Sequence, residues 1–281
     1  MNGIKRISRA LVFTCFAVFG MIAVSAAQAA DRAKLEAFLE ITGFDVALES
    51  IKLSAESAPQ MLGLEAEDFG FQWTALTEEV FNKDIMHDMA LDILGETLED
   101  SLLDHAASFY ASDLGRRLVE VENASHLKND DDLKTESGEA IVAGLERIGS
   151  KRIDILKRMN AASDTAGTAV RAIQEVQVRF LMAAATAGVI ELRMDEADLR
   201  EALRNDEAEM RTSLQASALT GAAYTYQSFS DAEVEAYTKA LENPDMRKVY
   251  DLMNAVQYEI MANRFEALAD RMKGLQPAQD L

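Results

Sequence analysis

Cysteine, proline and histidine are scarce in this sequence. Its 281 residues include one cysteine, three prolines and three histidines. The single cysteine, Cys15, leaves no pair for a disulfide and no thiolate set for a zinc site. Because proline is rare and alanine, leucine and glutamate are common, helices are favoured over strands. The sequence therefore predicts an all-α protein that folds on its apolar core without covalent cross-links.

Positive charge is also in short supply. Lysine and arginine together number 28 against 48 aspartates and glutamates, which gives a net charge of −20. A chain this acidic repels phosphate backbones and anionic lipid surfaces. We therefore expect no nucleic-acid partner and no polybasic docking on a membrane.

The longest apolar run lies at the start of the sequence. A basic segment ending at Arg9 precedes the run Leu11–Val24, and Ala27 and Ala29 supply a small-x-small pattern. This order is typical of a cleaved signal peptide, residues 1–29. The run is shorter than the roughly 20 residues that a spanning helix needs, so we expect no stable membrane anchor after cleavage. The predicted location is the periplasm, with a net charge of −23 once the three basic residues are removed.

Helical periodicity covers most of the remaining chain. Long helices are predicted over 71–94, 136–161 and 195–218, and Thr135 is a plausible N-cap for the second of these. The acidic stretch 123–135 is predicted to be a linker, because clustered charge of one sign opposes burial.

We divide the mature chain at this stretch into two modules. The N-terminal helical module is 30–128, and the C-terminal module, 129–281, is repeat-like. The expected architecture is two related multi-helix bundles, either separate or packed as one unit.

A capped helix pair begins near the end of the second module. Ser230 and Glu233 have capping-box spacing, and Phe229 precedes the cap as the first member of a hydrophobic staple. Asn243 is predicted to cap the next helix, with Pro244 at its first position.

A similar pair lies 131 residues earlier, over 97–122, and it contains the motif Phe109-Tyr110-x-Ser112-x-x-Gly115-Arg116-Arg117. The motif resembles the Phe-Tyr-x-Ser-x-x-Gly-x-Lys signature of the bacterial domain-of-unknown-function 2059 family. The usual opening of that signature, Phe-Thr/Ser-x-x-Glu-Leu, is missing here but is kept in the later pair as Phe229-Ser230-x-x-Glu233-Val234. We interpret the pairs as two diverged copies of one module. The resemblance implies an exported helical protein and supplies no activity.

The motif residues are expected to have structural roles. Phe109 and Tyr110 would pack between helices, and Gly115 would permit a close helix crossing that offsets its poor helix propensity. Arg116 and Arg117 would lie on the outer face or pair with acidic neighbours. The alternative is a ligand site made of aromatic and arginine side chains.

Candidate catalytic and metal-binding residues are few. Asp84, His87 and Asp88 share a helix face, but no second histidine follows three or four residues away. His105 is the other histidine that an enzyme mechanism could use. We predict no metal site, no cofactor and no catalytic residue.

Two further groups of residues are candidates for binding. Phe69, Phe71 and Trp73 surround a glycine and form a tentative ligand or partner surface, or else anchor the next helix in the core. A basic cluster runs from Arg147 to Arg158, and we favour a solvated face pairing with neighbours such as Glu146 and Asp154 over an anion or partner site.

The function expected from these observations is a non-enzymatic protein-interaction or binding module in the periplasm. One alternative is a carrier of an apolar ligand between helices. Another is a hydrolase or metal-dependent enzyme that uses carboxylates and histidine.

Overall fold

The computed structural model describes residues 31–275 except for 56–57, 65–68, 128–130, 165–166 and 274. The predicted signal peptide, residues 1–29, lies outside the described residues, as does part of the predicted linker. The helices of the described part are, in order, α1 Arg32–Thr42, α2 Phe44–Ser54, α3 Ala58–Met61, α4 Phe71–Val80, α5 Lys83–Thr97, α6 Asp100–Tyr110, α7 Asp113–His126, α8 Asp131–Arg147, α9 Arg152–Ser163, α10 Thr168–Ala187, α11 Glu196–Asn205, α12 Glu207–Thr225, α13 Asp231–Leu241 and α14 Pro244–Met272. No strand occurs among these residues, so the predicted all-α class is confirmed.

Three predicted long helices are each divided in two. The helix expected over 71–94 breaks at Phe81, because the Asn82 side chain accepts hydrogen bonds from the backbone of Asp84 and Ile85 and starts α5. Apolar residues keep their helical spacing across this break, so the periodicity of the sequence does not predict it.

The helix expected over 136–161 is interrupted between α8 and α9. Gly149 there has φ of +62°, a backbone conformation that glycine adopts without strain. Helix α8 also begins at Asp131, so the prediction of Thr135 as an N-cap is wrong. A third break, at Asp206, separates α11 from α12 within the helix expected over 195–218.

Helix α14 lies at the centre of the fold. It contacts α4, α5 and α6 on one side of the predicted module boundary and α9, α10 and α13 on the other. At 3.6 residues per turn, the buried residues of its second half lie about 150° around the helix from those of its first half. The buried residues are Met246, Val249, Val256 and Ile260 in the first half and Ala262, Phe265, Leu268, Ala269 and Met272 in the second.

Aromatic packing on α14 joins both parts of the chain. The ring of Phe265 lies 5.5 Å, centroid to centroid, from both Phe81 and Phe180, edge to face in each case. Edge-to-face geometry is a favourable arrangement for aromatic rings. Residues of both predicted modules thus belong to one buried cluster, while the boundary between the modules stays a prediction.

Two helix corners in the fold have matching bounds. The first corner is α6 with α7 and the second is α13 with the start of α14. Helices α6 and α13 each span 11 residues and begin 131 residues apart, and α7 and α14 begin at the same spacing. Ser112 and Asn243 cap α7 and α14, as predicted. A common origin of the corners stays a prediction.

None of the described helices is both long enough and apolar enough to span a membrane.

Candidate functional site

The two helix corners contact each other through Arg117. Its Nη1 donates to Glu233 Oε1 at 2.7 Å, and its guanidinium carbon lies 4.9 Å from the ring centroid of Phe229. Glu233 also completes the predicted capping box with Ser230, which the structure confirms. Arg117 of the first motif copy therefore contacts both Phe229 and Glu233 of the second.

Stacked rings make a second contact between the corners. Phe109 lies parallel to Tyr237, with 5.8 Å between ring centroids and 6° between planes, and edge to face with Tyr110. Phe109 is half-buried, whereas Tyr110 and Tyr237 are buried. These motif aromatics thus pack between helices.

The remaining motif residues act within the first corner. Ser112 Oγ accepts from the Gly115 backbone N–H at 3.0 Å. A Cβ on Gly115 would lie 2.3 Å from the Phe109 carbonyl oxygen and 2.6 Å from Tyr110 Cα, which explains the glycine. Arg116 is exposed and donates to the Ala111 carbonyl oxygen at 2.6 Å.

A polar cluster lies beneath these contacts, where four of the six tyrosines surround Glu122. The hydroxyls of Tyr226 and Tyr237 donate to Glu122 Oε1 at 2.6 and 3.0 Å. The Tyr237 hydroxyl also lies 2.9 Å from that of Tyr250, which in turn bonds the hydroxyl of Tyr110. We call these five residues the tyrosine–glutamate cluster.

The hydrogen bonds of the cluster run in one direction. A tyrosine hydroxyl has a single proton to donate. Since Tyr237 gives its proton to Glu122, it accepts from Tyr250, and Tyr250 accepts from Tyr110. Every described donor in the cluster therefore points towards the carboxylate. Its second oxygen, Oε2, has no hydrogen-bond partner among the described residues.

Burial changes the ionisation of the whole cluster. Desolvation raises the pKa of Glu122 above its ordinary value, although the hydrogen bonds from Tyr226 and Tyr237 act in the opposite direction. Burial also raises the pKa of Tyr110, Tyr226 and Tyr237 well above 10, so these hydroxyls stay protonated at neutral pH. The carboxyl of Glu122 is thus the group of the cluster that changes charge most readily.

The cluster opens into a cleft of about 380 Å³ between five helices, here called the Glu122 cleft. This volume falls in the range of small-molecule sites. Polar lining comes from α7, α9 and the tyrosines, and small apolar lining comes from α12. The lining residues are Glu122, Ser125, His126, Met159, Asn160, Ser163, Ala218, Gly221, Ala222, Thr225, Tyr226, Tyr237, Leu241 and Tyr250.

The cleft wall combines the acceptor oxygens around Glu122 with the donors of Ser125, His126 and Asn160. No lysine or arginine is among the lining residues that the structure describes. The pKa of His126 is lowered by burial and by the charge of Lys134, so its imidazole is neutral at neutral pH. Among the described lining residues, Glu122 is therefore the acidic one, and no permanent positive charge stands opposite it.

The turn that holds Tyr226 is fixed by a buried arginine. Arg152 donates to the Tyr226 carbonyl oxygen at 2.6 Å and to Asp231 Oδ1 at 2.7 Å. Since Asp231 is the first residue of α13, this side chain ties α9 to the loop between α12 and α13. The basic residue thus positions one wall of the cleft.

A larger cleft, of about 550 Å³, lies between α10, α11 and α14. Two of its three lining arginines have carboxylate partners, whereas Arg264 donates to Asn263 Oδ1 and to the Val80 carbonyl oxygen. Arg179 bonds Glu259 and Glu266, and Arg200 bonds Glu175 and Glu196. Such pairs neutralise the wall, which leaves the Glu122 cleft as the stronger candidate site.

The tentative aromatic surface is not present as a unit. Phe69 and Trp73 are buried, with ring centroids 5.9 Å apart, whereas Phe71 is 82% exposed. Two of the three side chains thus belong to the core, as the alternative interpretation expected. Only Phe71 is accessible to a partner.

The histidines considered for chemistry are separated from one another. His87 Nδ1 lies 2.7 Å from Asp45 Oδ1, and the nearby Asp88 pairs with Arg32. His105 lies on α6 and does not line the Glu122 cleft. Within the described ranges, no group of three or more His, Cys, Asp or Glu residues is placed to hold a metal ion.

The basic cluster from Arg147 to Arg158 has different partners from those expected. Arg158 bonds Glu235 and Glu242 across the α9–α13 packing. This arginine thus pairs with acidic residues, as the favoured interpretation expected of the cluster, but the partners lie on and just after α13 and are not Glu146 and Asp154.

Sequence reasoning missed most of the tyrosine–glutamate cluster. Of its five members, only Tyr110 belongs to the recognised motif. Glu122 is one of 48 acidic residues, and it bonds tyrosines 104 and 115 positions away. No local spacing signals such a site.

Comparison with known families gives one result. The model of a family described as an uncharacterised protein conserved in bacteria, DUF2059, matches residues 84–143. The chain carries a DUF2059 segment. The match runs from α5 into α8, so it includes the first corner with Tyr110 and Glu122. No curated protein and no solved structure matches the chain significantly.

The DUF2059 segment supplies only part of the site. Tyr226, Tyr237 and Tyr250 lie outside it, and the second corner is not matched by the family model. The Glu122 cleft is therefore formed where the DUF2059 segment packs against the later part of the chain.

Proposed function

We propose that this bacterial protein is an exported, periplasmic binding module that takes a small polar molecule in the Glu122 cleft. The observation that supports the proposal is an open cleft of about 380 Å³ with a hydrogen-bonded carboxylate in its wall. Clefts with a few convergent polar groups are the usual form of ligand sites. The predicted signal peptide supports the exported location.

The cleft favours this role over the other expected ones. An apolar carrier needs a lining without charge, whereas this cleft contains a carboxylate, an imidazole and an amide. A hydrolase needs an activated nucleophile, and the cleft serine Ser125 bonds Thr225 rather than a base. Binding without turnover is the simplest use of such a site.

A glycine on α12 allows the cleft to be blocked. Gly221 lines the cleft, and a Cβ there would meet no atom within 4 Å. A Gly221→Leu substitution is therefore expected to narrow the cleft, since the first carbon of its side chain clashes with nothing. Gly144 on α8 is equally open but does not line the cleft, so Gly144→Leu is a matched control.

The test is native mass spectrometry of the full-length protein after export in a Gram-negative host. We expect a mature chain that begins at Ala30 and a retained small molecule in the wild type and in Gly144→Leu, but not in Gly221→Leu. Retention of a ligand that is unchanged by Gly221→Leu, or a wild type that carries none, would overturn the binding role. A chain that stays in the cytoplasm with residues 1–29 attached would overturn the export.

A further inference from the structure

The Glu122 carboxylate lacks a cationic partner in the described part of the chain. Its hydrogen bonds come only from the hydroxyls of Tyr226 and Tyr237, which are neutral. Glu122 is half-buried, and a carboxylate that is partly removed from water is stabilised by a nearby cation. The cleft thus contains an acid whose counter-charge is missing from its own wall.

The donors of the cluster are already committed. Tyr226 and Tyr237 use their single protons on Oε1, and the Tyr237 oxygen accepts from Tyr250, so the Tyr226 oxygen and Glu122 Oε2 are left as acceptors. The Asn160 carbonyl accepts from Ser163, which places further acceptor oxygens at the cleft. A ligand that binds beside Glu122 therefore bonds these acceptors by supplying donors of its own.

Anions fit the cleft poorly. Neither lysine nor arginine is among the lining residues that the structure describes, and His126 is neutral at neutral pH because its pKa is lowered. Lys134 is not among the described lining residues, and its Nζ donates to the Ser125 carbonyl oxygen at 3.3 Å. An anionic ligand would add a second negative charge beside the carboxylate.

We propose that the ligand of the Glu122 cleft is a small organic molecule with a protonated amine, whose N–H groups donate to Glu122 Oε2 and the neighbouring acceptor oxygens. The inference depends on the proposed binding role and specifies its ligand class. An ammonium group provides the missing charge and up to three donors at once. Inorganic cations prefer several carboxylate or carbonyl ligands, and no such group is placed in the described part of the chain.

The test is calorimetric titration of the folded full-length protein with matched probes. The probes are 2-phenylethylamine, 2-phenylethanol and phenylacetate, together with n-butylamine, n-butanol and butyrate. At pH 7, we expect at least one of the amines to bind. The alcohol and carboxylate of the same skeleton should bind at least tenfold more weakly, since a charge-assisted hydrogen bond is lost.

Variants locate the binding. Glu122→Gln keeps the shape and the acceptor for both tyrosines but removes the charge, so it should weaken amine binding by on the order of tenfold or more. Glu120→Gln, on the exposed side of the same helix, makes the same change in net charge and should leave the affinity unchanged. Gly221→Leu should also abolish binding.

Other outcomes count against the inference. Equal binding of amine and alcohol, tighter binding of the carboxylate, or no loss in Glu122→Gln would overturn the amine class. The same holds if neither amine binds. A retained ligand without an amine would leave the binding role intact and reject this inference alone. Absence of any retained ligand, with no probe binding, would reject both.

Discussion

The two helix corners have the same bounds but are built differently. Position 115 in the first corner corresponds to position 246 in the second. At these positions the first corner has a glycine against the Phe109 carbonyl, and the second has the fully buried side chain of Met246. The first corner therefore closes by backbone approach, whereas the second closes around a side chain. Helix corners of the same length can thus be packed either by close backbone contact or by a buried side chain.

The polar cluster depends on this difference between the corners. Every cluster residue on a corner has an apolar counterpart at the matching position of the other. The pairs are Tyr110 with Leu241, Glu122 with Met253, Tyr237 with Ala106 and Tyr250 with Val119. If the corners arose by duplication, the cluster is made of residues that differ between the two copies. The matching bounds of the corners therefore account for packing and do not by themselves produce the cluster.

The largest expected effect comes from adding a methyl group to the tighter corner. Gly115→Ala places a Cβ against backbone atoms of Phe109 and Tyr110, which cannot rotate away. We expect a loss of about 1–3 kcal/mol in the free energy of unfolding, as for overpacked cores. Urea denaturation followed by circular dichroism measures it.

The matched change is Gly221→Ala, because a Cβ there meets no atom within 4 Å. That variant should be unchanged or more stable by up to about 1 kcal/mol, since alanine favours helix. Equal stability of the two variants would contradict the backbone-contact account of the first corner.

A smaller effect is expected from the pH dependence of Glu122. Burial raises its pKa in the folded protein, so the folded state favours the protonated form. Its contribution to stability is complete below the pKa of the unfolded chain, near 4.5, and is lost as pH rises through the folded pKa. The stability of the wild type relative to Glu122→Gln should therefore fall from pH 4 upward and then level off.

Urea midpoints of the two proteins between pH 4 and pH 8 test this dependence. The titration of His126 is common to both proteins, so the difference between them reports on Glu122. Glu120→Gln serves as the exposed control and should show no such trend. If the urea midpoints of wild type and Glu122→Gln differ by the same amount at every pH, the cluster does not shift the pKa of this carboxyl.

The smallest effect is expected at the contact that joins the corners. Arg117 pairs with Glu233, but both side chains are partly exposed, so the pair is screened by solvent. The pKa of Glu233 is lowered to about 2, first by the Ser230 hydroxyl and backbone and then by Arg117. Arg117→Ala should thus cause only a slight fall in melting temperature.

Acid titration separates the cap from the bridge. The contribution of Glu233 is present above pH 4.5 and is lost as pH falls towards 2, because the folded pKa is the lower one. Most of this acid sensitivity should remain in Arg117→Ala, since the cap remains, and should vanish in Glu233→Gln. If the acid sensitivity is lost completely in Arg117→Ala, the ion pair with Arg117, and not the cap, lowers the pKa of Glu233.

Local chemistry accounts for what could be predicted. The capping box at Ser230, the cap at Asn243 and the need for Gly115 depend on neighbours within a few residues. The helix breaks at Asn82 and Asp206 were missed because the apolar pattern continues across both. The buried state of Trp73 could not be distinguished from a surface role, since it depends on which helices pack over it.

The amino-acid sequence by itself determined that this chain is helical, that two capped corners recur and that one of them belongs to a DUF2059 segment. Those properties follow from backbone propensity and from hydrogen bonds between near neighbours. Only the tertiary structure decided that Tyr110 meets Tyr250, and that Tyr226 and Tyr237 meet Glu122, across 104 to 140 residues. The reason is that burial and a shared carboxylate are properties of the packed helices and of no single segment.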